Sequence, residues 1–127
     1  MSNEKDISNC FDISIHNGID GIYHILKIKK EYETLDANAA SKLKNEFEDY
    51  FKKKSYDANI TKHALDMSNV KEINSSGVAA ILIFNALSIN NEYGKATIFC
   101  CRDQVENIIK DAGIDEVVRY KKNKAEI

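Results

Sequence analysis

The stretch HALDMSNVKEINSSGVAAILIF, residues 63–84, combines a strand pattern, a polar connection and a long apolar run. Its first residues are typical of a short buried strand, and its last are apolar enough to form a packed helix. Between them, Ser75 and Ser76 stand where the helix would begin, and either hydroxyl could accept a hydrogen bond from a backbone N–H group there. The stretch therefore predicts a strand, a loop and a helix, with a serine hydroxyl exposed at the helix start.

Strands and helices alternate on both sides of this stretch. Two N-terminal runs, at 11–15 and 22–28, alternate apolar and polar residues and predict a hairpin whose connection is longer than two residues. Asp36 is a good N-cap for the helix that follows, and the helix after the serines stops near Gly94. Three further elements are a strand at 95–100, a helix at 101–113 and a short strand at 117–120. The order ββαβαβαβ predicts an α/β fold with a mixed, mostly parallel sheet of about five strands and helices packed mainly on one face.

Length and charge limit the classes of protein to which the chain can belong. Its 127 residues fit a single domain, 1–127, with a core at about 11–120 and a polar tail on either side. The formal net charge of −2 gives no electrostatic reason to expect a nucleic acid partner. No run approaches the ~18 apolar residues of a membrane span, and the N-terminus has no signal-peptide core. We therefore expect a cytoplasmic protein without a membrane span.

Motifs for catalysis and cofactor binding are lacking in the sequence. The five glycines are too scattered for a phosphate-binding loop, and no serine lies in a GxSxG elbow. The three histidines and three cysteines do not have the spacing of metal ligands. We therefore expect a protein that is not an enzyme and that has no metal and no cofactor.

The order of the motifs resembles a known family. The stretch at 63–84 is similar to the signature of STAS domains, the anti-sigma-factor antagonists and their sulfate-transporter relatives: an apolar strand, Asp-Leu-Ser, a short connection, Asp-Ser-Ser/Thr-Gly and an apolar helix. YETLDANAASKLKNEF, at 32–47, resembles the segment that opens the first helix of the family. GKATIFCCRDQVENIIKDAGIDEVVRY, at 94–120, resembles the later strand, helix, turn and final strand. The similarity runs from about Phe11 to Tyr120 and implies a STAS-like domain.

The resemblance implies a regulatory role for the serines. In that family the first serine of the Ser-Ser/Thr-Gly motif is phosphorylated by an anti-sigma factor that is also a serine kinase, and this position is Ser75. The unphosphorylated antagonist binds the kinase and frees the sigma factor, the phosphorylated one does not bind, and a phosphatase resets it. Asp36, Ser76 and Gly77 match family positions around the phosphorylated serine. Asn74 stands where the family usually has Asp, so a kinase that reads that carboxylate would act poorly on this chain.

Two functions follow from the resemblance. The first is an anti-sigma-factor antagonist switched off by phosphorylation at Ser75, which would regulate sigma-factor-dependent transcription in a bacterium. The alternative is a non-phosphorylated STAS subunit of a larger, stressosome-like signalling complex or of a transporter-associated complex, in which Ser75 is only a helix cap. Neither the identity of the partner kinase nor the oligomeric state follows from the sequence.

A helical wheel of residues 78–92 suggests where a partner would dock. It places one broad apolar arc toward the sheet, made of Ala79, Leu82, Ile83, Ala86, Leu87 and Ile89. Ile81 and Phe84 fall outside this arc, so they are predicted to be exposed near Ser75 as partner-binding residues. In the alternative interpretation, the helix is rotated and both residues belong to the core.

Overall fold

The computed structural model describes residues 10–53 and 59–127, and within them seven strands and three α-helices follow one another along the chain. The strands are β1 (Phe11–Gly18), β2 (Gly21–Ile28), β3 (Thr34–Leu35), β4 (Lys62–Asp66), β5 (Glu72–Ile73), β6 (Thr97–Phe99) and β7 (Arg119–Lys121). The helices are α1 (Ala37–Lys52), α2 (Ser75–Asn90) and α3 (Asp103–Asp111). Single turns of 3₁₀-helix lie at Lys30–Tyr32, Ile114–Glu116 and Lys124–Glu126.

Five of the strands form one sheet in the order β1-β2-β4-β6-β7. β1 is antiparallel to β2, and each later pairing is parallel. This confirms the predicted α/β fold with a mixed, mostly parallel sheet. The β1–β2 hairpin is tighter than predicted, because the pairing continues to Gly18 and Gly21 and leaves only Ile19 and Asp20 in the turn. Gly21 has a φ of 153°, a backbone conformation that glycine adopts readily.

The three helices contribute to one hydrophobic core on one face of the sheet. Asp36 caps α1, as predicted, by accepting a hydrogen bond from the N–H of Ala39. The stripe of α1 predicted to face the sheet is buried, and it comprises Ala40, Leu43, Phe47, Tyr50 and Phe51. Of these residues, Leu43, Phe47, Tyr50 and Phe51 belong to one core cluster with side chains of the central strands, such as Leu26, Leu65 and Ile98. The opposite face of the sheet carries a smaller cluster that includes Tyr23 and Phe99 and is covered by Ile127.

The orientation of α2 differs from the prediction. Phe84 and Ile81 are 0% and 1% exposed, and the ring of Phe84 lies 4.8 Å from that of Phe47, so the expectation that these two residues form an exposed partner patch is wrong. The helix is rotated because its polar residues have partners inside the protein. Asn85 accepts a hydrogen bond of 2.8 Å from the N–H of Ala96, and Ser88 donates one of 2.7 Å to the carbonyl of Gly94.

A polar cluster that the sequence did not reveal lies inside the core. The hydroxyl of Tyr50 in α1 is hydrogen-bonded to His24 Nδ1 in β2 and to His63 Nε2 in β4, the latter at 2.8 Å. His63 is fully buried, and its ring also lies against Tyr93 and Phe51. Burial, with a smaller contribution from the neighbouring His24, lowers the pKa of His63 to about 3. His63 is therefore neutral in the folded protein at ordinary pH.

Candidate phosphorylation and partner-binding site

The two short strands outside the main sheet bring the starts of α1 and α2 together. β3 and β5 pair in parallel, with Thr34 opposite Glu72 and Leu35 opposite Ile73. The next residue of each chain segment is the N-cap of a helix, Asp36 for α1 and Asn74 for α2. Because the strands are parallel, both helices start at the same end of this small sheet.

The cap of α2 is Asn74 rather than Ser75 or Ser76, and this corrects the prediction. Its side-chain oxygen accepts hydrogen bonds from the N–H groups of Ser76, at 2.9 Å, and Gly77, at 3.2 Å. Asparagine is among the best residues at this position, because its short side chain reaches back to the N–H groups of the first turn. Ser75 is then the first residue of α2 and is exposed.

Gly77 lies where the first turn of α2 closely approaches β3 and β5. A Cβ atom on Gly77 would lie 2.5 Å from Cγ1 of Ile73, 2.8 Å from Cβ of Leu35 and 3.0 Å from the carbonyl oxygen of Leu35. The carbonyl and Cβ belong to a strand that is held in the β3–β5 pair, so they cannot move aside freely. The glycine therefore fixes how closely the helix start sits against the strand pair.

We expect Gly77→Ala to lower the free energy of unfolding by about 1–3 kcal/mol, the usual cost of overpacking. The direction of the change is informative, because in a helix interior alanine otherwise stabilises the fold by about 1 kcal/mol relative to glycine. Urea unfolding followed by circular dichroism measures the change. Ser75→Ala, at an exposed position in the same turn, is the control and should change stability by less than about 0.5 kcal/mol. A Gly77→Ala variant more stable than the wild type would contradict the close contact.

The connection between β4 and α2 is held to neighbouring elements by several hydrogen bonds. The N–H of Met67 donates to the carbonyl of Phe99, and the side chain of Asn69 donates to the carbonyl of Ile28. From the start of α3, the side chain of Arg102 donates to the carbonyl of Ser68, at 3.1 Å. Lys71 forms an ion pair of 3.5 Å with Glu33. These bonds anchor the connection on the sheet, so Ser75 is presented from a fixed support.

An exposed stripe runs along α2 from Ser75. We call it the α2 stripe, and it consists of four exposed residues, Ala79, Leu82, Ala86 and Ile89. The spacing of four and three residues places all of them on one side of the helix, in line with Ser75. Leu82 and Ile89 are 36% and 46% exposed, which is high for large apolar residues. These four residues were predicted to lie in the core, so the surface next to Ser75 is apolar but consists of different residues than predicted.

Groups for other chemistry are not assembled in the described part of the chain. Within residues 10–53 and 59–127, no three potential metal ligands lie together, and no helix is long and apolar enough to cross a bilayer. The three cysteines form no disulfide. Burial raises the pKa of the Cys10 thiol to about 11 and that of Cys101 to about 12, so both remain protonated at neutral pH.

Comparisons with known proteins agree with the fold. A family model described as STAS domain matches residues 12–127. An anti-sigma-factor antagonist (STAS) domain protein from Planctomyces limnophilus superposes with a TM-score of 0.69 at 15% identity, covering 91% of this chain and 92% of its own. A crystal structure of a candidate anti-sigma factor antagonist from Thermotoga maritima gives a TM-score of 0.64 at 20% identity, covering 90% and 89%. An NMR structure of the Thermotoga protein also gives 0.64, at 21% identity, covering 88% and 82%. A search of curated proteins returns no match.

Proposed function

Because the chain belongs to the STAS domain family, we propose that it acts as an anti-sigma-factor antagonist in the bacterial cytoplasm. In this role it binds a serine-kinase anti-sigma factor without catalysing a reaction itself, and so regulates sigma-factor-dependent transcription. Phosphorylation of Ser75 by that kinase releases it, and a phosphatase restores binding. The observation that carries the proposal is the exposed Ser75 at the head of the apolar α2 stripe. The structural similarity to antagonists of the same fold supports it.

The effect of a phosphate on Ser75 follows from the local geometry. Phosphoserine adds a charge of about −1.5 to −2 at neutral pH. The N–H groups of Ser76 and Gly77 already bind Asn74, and that of Val78 binds the carbonyl of Asn74 at 3.0 Å. These three N–H groups therefore have acceptors without the phosphate, which need not reorganise them. The added charge instead lies beside the α2 stripe, where a partner that buries apolar surface would have to desolvate it.

We expect Ser75→Asp to weaken binding to the cognate serine-kinase anti-sigma factor at least tenfold, which corresponds to about 1.4 kcal/mol. Isothermal titration calorimetry with the purified kinase measures the affinity. Ser75→Ala should bind like the wild type but accept no phosphate from the kinase and ATP. Asn107→Asp, which adds the same charge at an exposed position on α3, is the matched control and should leave the affinity unchanged. Equal affinities for the wild type and Ser75→Asp would contradict the proposed switch.

A second candidate function is favoured by Asn74. The family usually places a carboxylate at this position, and the amide of Asn74 removes that charge while keeping the cap. Without the carboxylate that a kinase would recognise, the chain could instead serve as a non-phosphorylated STAS subunit of a larger signalling or transporter-associated complex. In that case, protein purified from its native host carries no phosphate on Ser75, and Ser75→Asp does not change its elution with the complex in size-exclusion chromatography.

A further inference from the structure

Within residues 10–53 and 59–127, the edge strand β1 has few of the features that usually protect an exposed sheet edge, and its one formal charge is that of Asp12. It is eight residues long and pairs with β2 through eight consecutive positions, without a bulge. Its sequence, FDISIHNG, contains neither proline nor lysine. The opposite edge, β7, has three residues and carries Arg119 and Lys121. Long, regular edges with apolar side chains are templates for pairing with another strand, whereas short and charged edges are not.

At Ile13 and Ile15, the outer side of β1 combines exposed apolar side chains with backbone groups that pair with no other strand among residues 10–53 and 59–127. The carbonyl of Cys10 accepts a hydrogen bond of 2.8 Å from the N–H of Lys29, so the even-numbered residues of β1 direct their backbone groups toward β2. The odd-numbered residues Ile13 and Ile15 then direct their N–H and C=O groups outward. Their side chains, opposite Leu26 and His24, lie on the helix-bearing face but are 39% and 55% exposed.

We propose that two copies of this chain associate by antiparallel pairing of their β1 strands, with Ser14 opposite Ser14 of the partner subunit. In this register the outward backbone groups can form hydrogen bonds across the interface. Ile13 lies opposite the partner's Ile15, and both residues direct their N–H and C=O groups outward. The register also brings apolar side chains together, since both Ile13–Ile15 pairs lie on the same face of the sheet. On the other face, Asp12 lies opposite the partner's His16, so an acidic and a basic group meet on each side of Ser14.

The same sequence makes other registers poorer. Because side chains alternate with period two, a one-residue slip would place inward-facing backbone groups opposite outward-facing ones. A slip of two positions would remove one of the two isoleucine pairs. Cross-strand pairs of side chains each contribute only modestly to stability, so we expect a weak, concentration-dependent association rather than an obligate dimer. The result is one continuous sheet formed from two five-stranded sheets.

The first test exploits the register. Sedimentation velocity of the wild type should show an average mass that rises with concentration toward twice that of the monomer. Ile13→Lys/Ile15→Lys and Ile13→Glu/Ile15→Glu should each remain monomeric, because the register places like charges opposite one another. An equimolar mixture of the two should dimerise again, since each lysine then faces a glutamate. Ile19→Lys, in the turn and 87% exposed, is the control and should dimerise like the wild type.

The second test measures the contact at the twofold axis. In the proposed register, Ser14 and its counterpart form a non-hydrogen-bonded pair with Cα atoms about 4.5 Å apart, within the range for a disulfide. Ser14→Cys should therefore give a disulfide-linked dimer under mild oxidation, whereas Ile13→Cys, offset by two positions from its counterpart, should cross-link at least tenfold more slowly. Circular dichroism confirms that each variant is folded. A wild type that is monomeric at all concentrations, or equal cross-linking at both positions, would overturn the proposal whether or not the proposed function holds.

Discussion

Replacing Phe84 with alanine is expected to lower the free energy of unfolding by about 3–5 kcal/mol. The side chain is 0% exposed and lies between two rings of α1, with ring centroids 4.8 Å from Phe47 and 5.8 Å from Phe51. Removing the ring loses its burial and leaves a cavity at the contact between α1 and α2, which cannot collapse because both helices also pack on the sheet. Urea unfolding followed by circular dichroism measures the loss.

Leu82, two residues away on the same helix, is the matched control for this prediction. It is 36% exposed and belongs to the α2 stripe, so Leu82→Ala should cost no more than about 1 kcal/mol. The helical wheel predicted the opposite ranking, with Leu82 in the core and Phe84 at the surface. The pair of variants therefore tests the rotation of α2, and a larger loss for Leu82→Ala than for Phe84→Ala would show that the rotation is wrong.

The contrast between α1 and α2 explains how much of the fold the sequence could predict. The apolar residues of α1 are confined to one stripe, such as Leu43 and Phe47, and the opposite side is charged, so periodicity alone identified the buried face. In α2 apolar residues lie all round the axis, and periodicity contains little information on which side is buried. The two polar residues that would mark the outside, Asn85 and Ser88, instead bind backbone groups of the segment leading to β6. Such tertiary hydrogen bonds cannot be read from local sequence.

The candidate site, like α2, could be predicted only in part from the local sequence. Asp36 was predicted as a cap because its identity and the helical pattern after it are sufficient. The β3–β5 pair was not predicted, since two-residue strands have no detectable periodicity. Without that pair, nothing in the local sequence shows that Leu35 lies against Gly77, or that Asn74 rather than a serine is the cap. The resemblance located Ser75, whereas the apolar surface beside it follows only from the rotation of α2.

The pH dependence of stability gives a second large expected effect, which depends on His63. Its pKa is about 3 in the folded protein and 6.5 in the absence of burial, so below pH 6.5 the unfolded chain binds a proton that the folded protein does not. His63 therefore does not reduce the free energy of unfolding above pH 6.5. As the pH decreases from 6.5 toward 3, the free energy of unfolding falls by up to about 1.4 kcal/mol per pH unit. Between pH 7.5 and 5 we expect a loss of about 2 kcal/mol from this residue.

Above pH 5, the contribution of His63 to the pH dependence of stability can be measured separately from that of the carboxylates. Hydrogen bonds from Tyr23 and Tyr120 lower the pKa values of Asp20 and Glu106, whose ordinary values are 3.8 and 4.5. Those carboxylates contribute stability that is lost only as the pH falls below these ordinary values. Urea unfolding at several pH values between 7.5 and 5 therefore measures a loss of stability to which Asp20 and Glu106 contribute little.

A variant that keeps the ring but cannot be protonated separates this effect from packing. His63→Phe retains an aromatic side chain against Phe51 and Tyr93 and leaves the hydroxyl of Tyr50 its bond to His24. It should remove most of the fall in stability between pH 7.5 and 5, whatever its stability at pH 7.5. His16→Gln, at a partly exposed position of β1, should preserve the fall. An unchanged pH dependence in His63→Phe would mean that His63 takes up its proton without unfolding, which its complete burial beside His24 opposes.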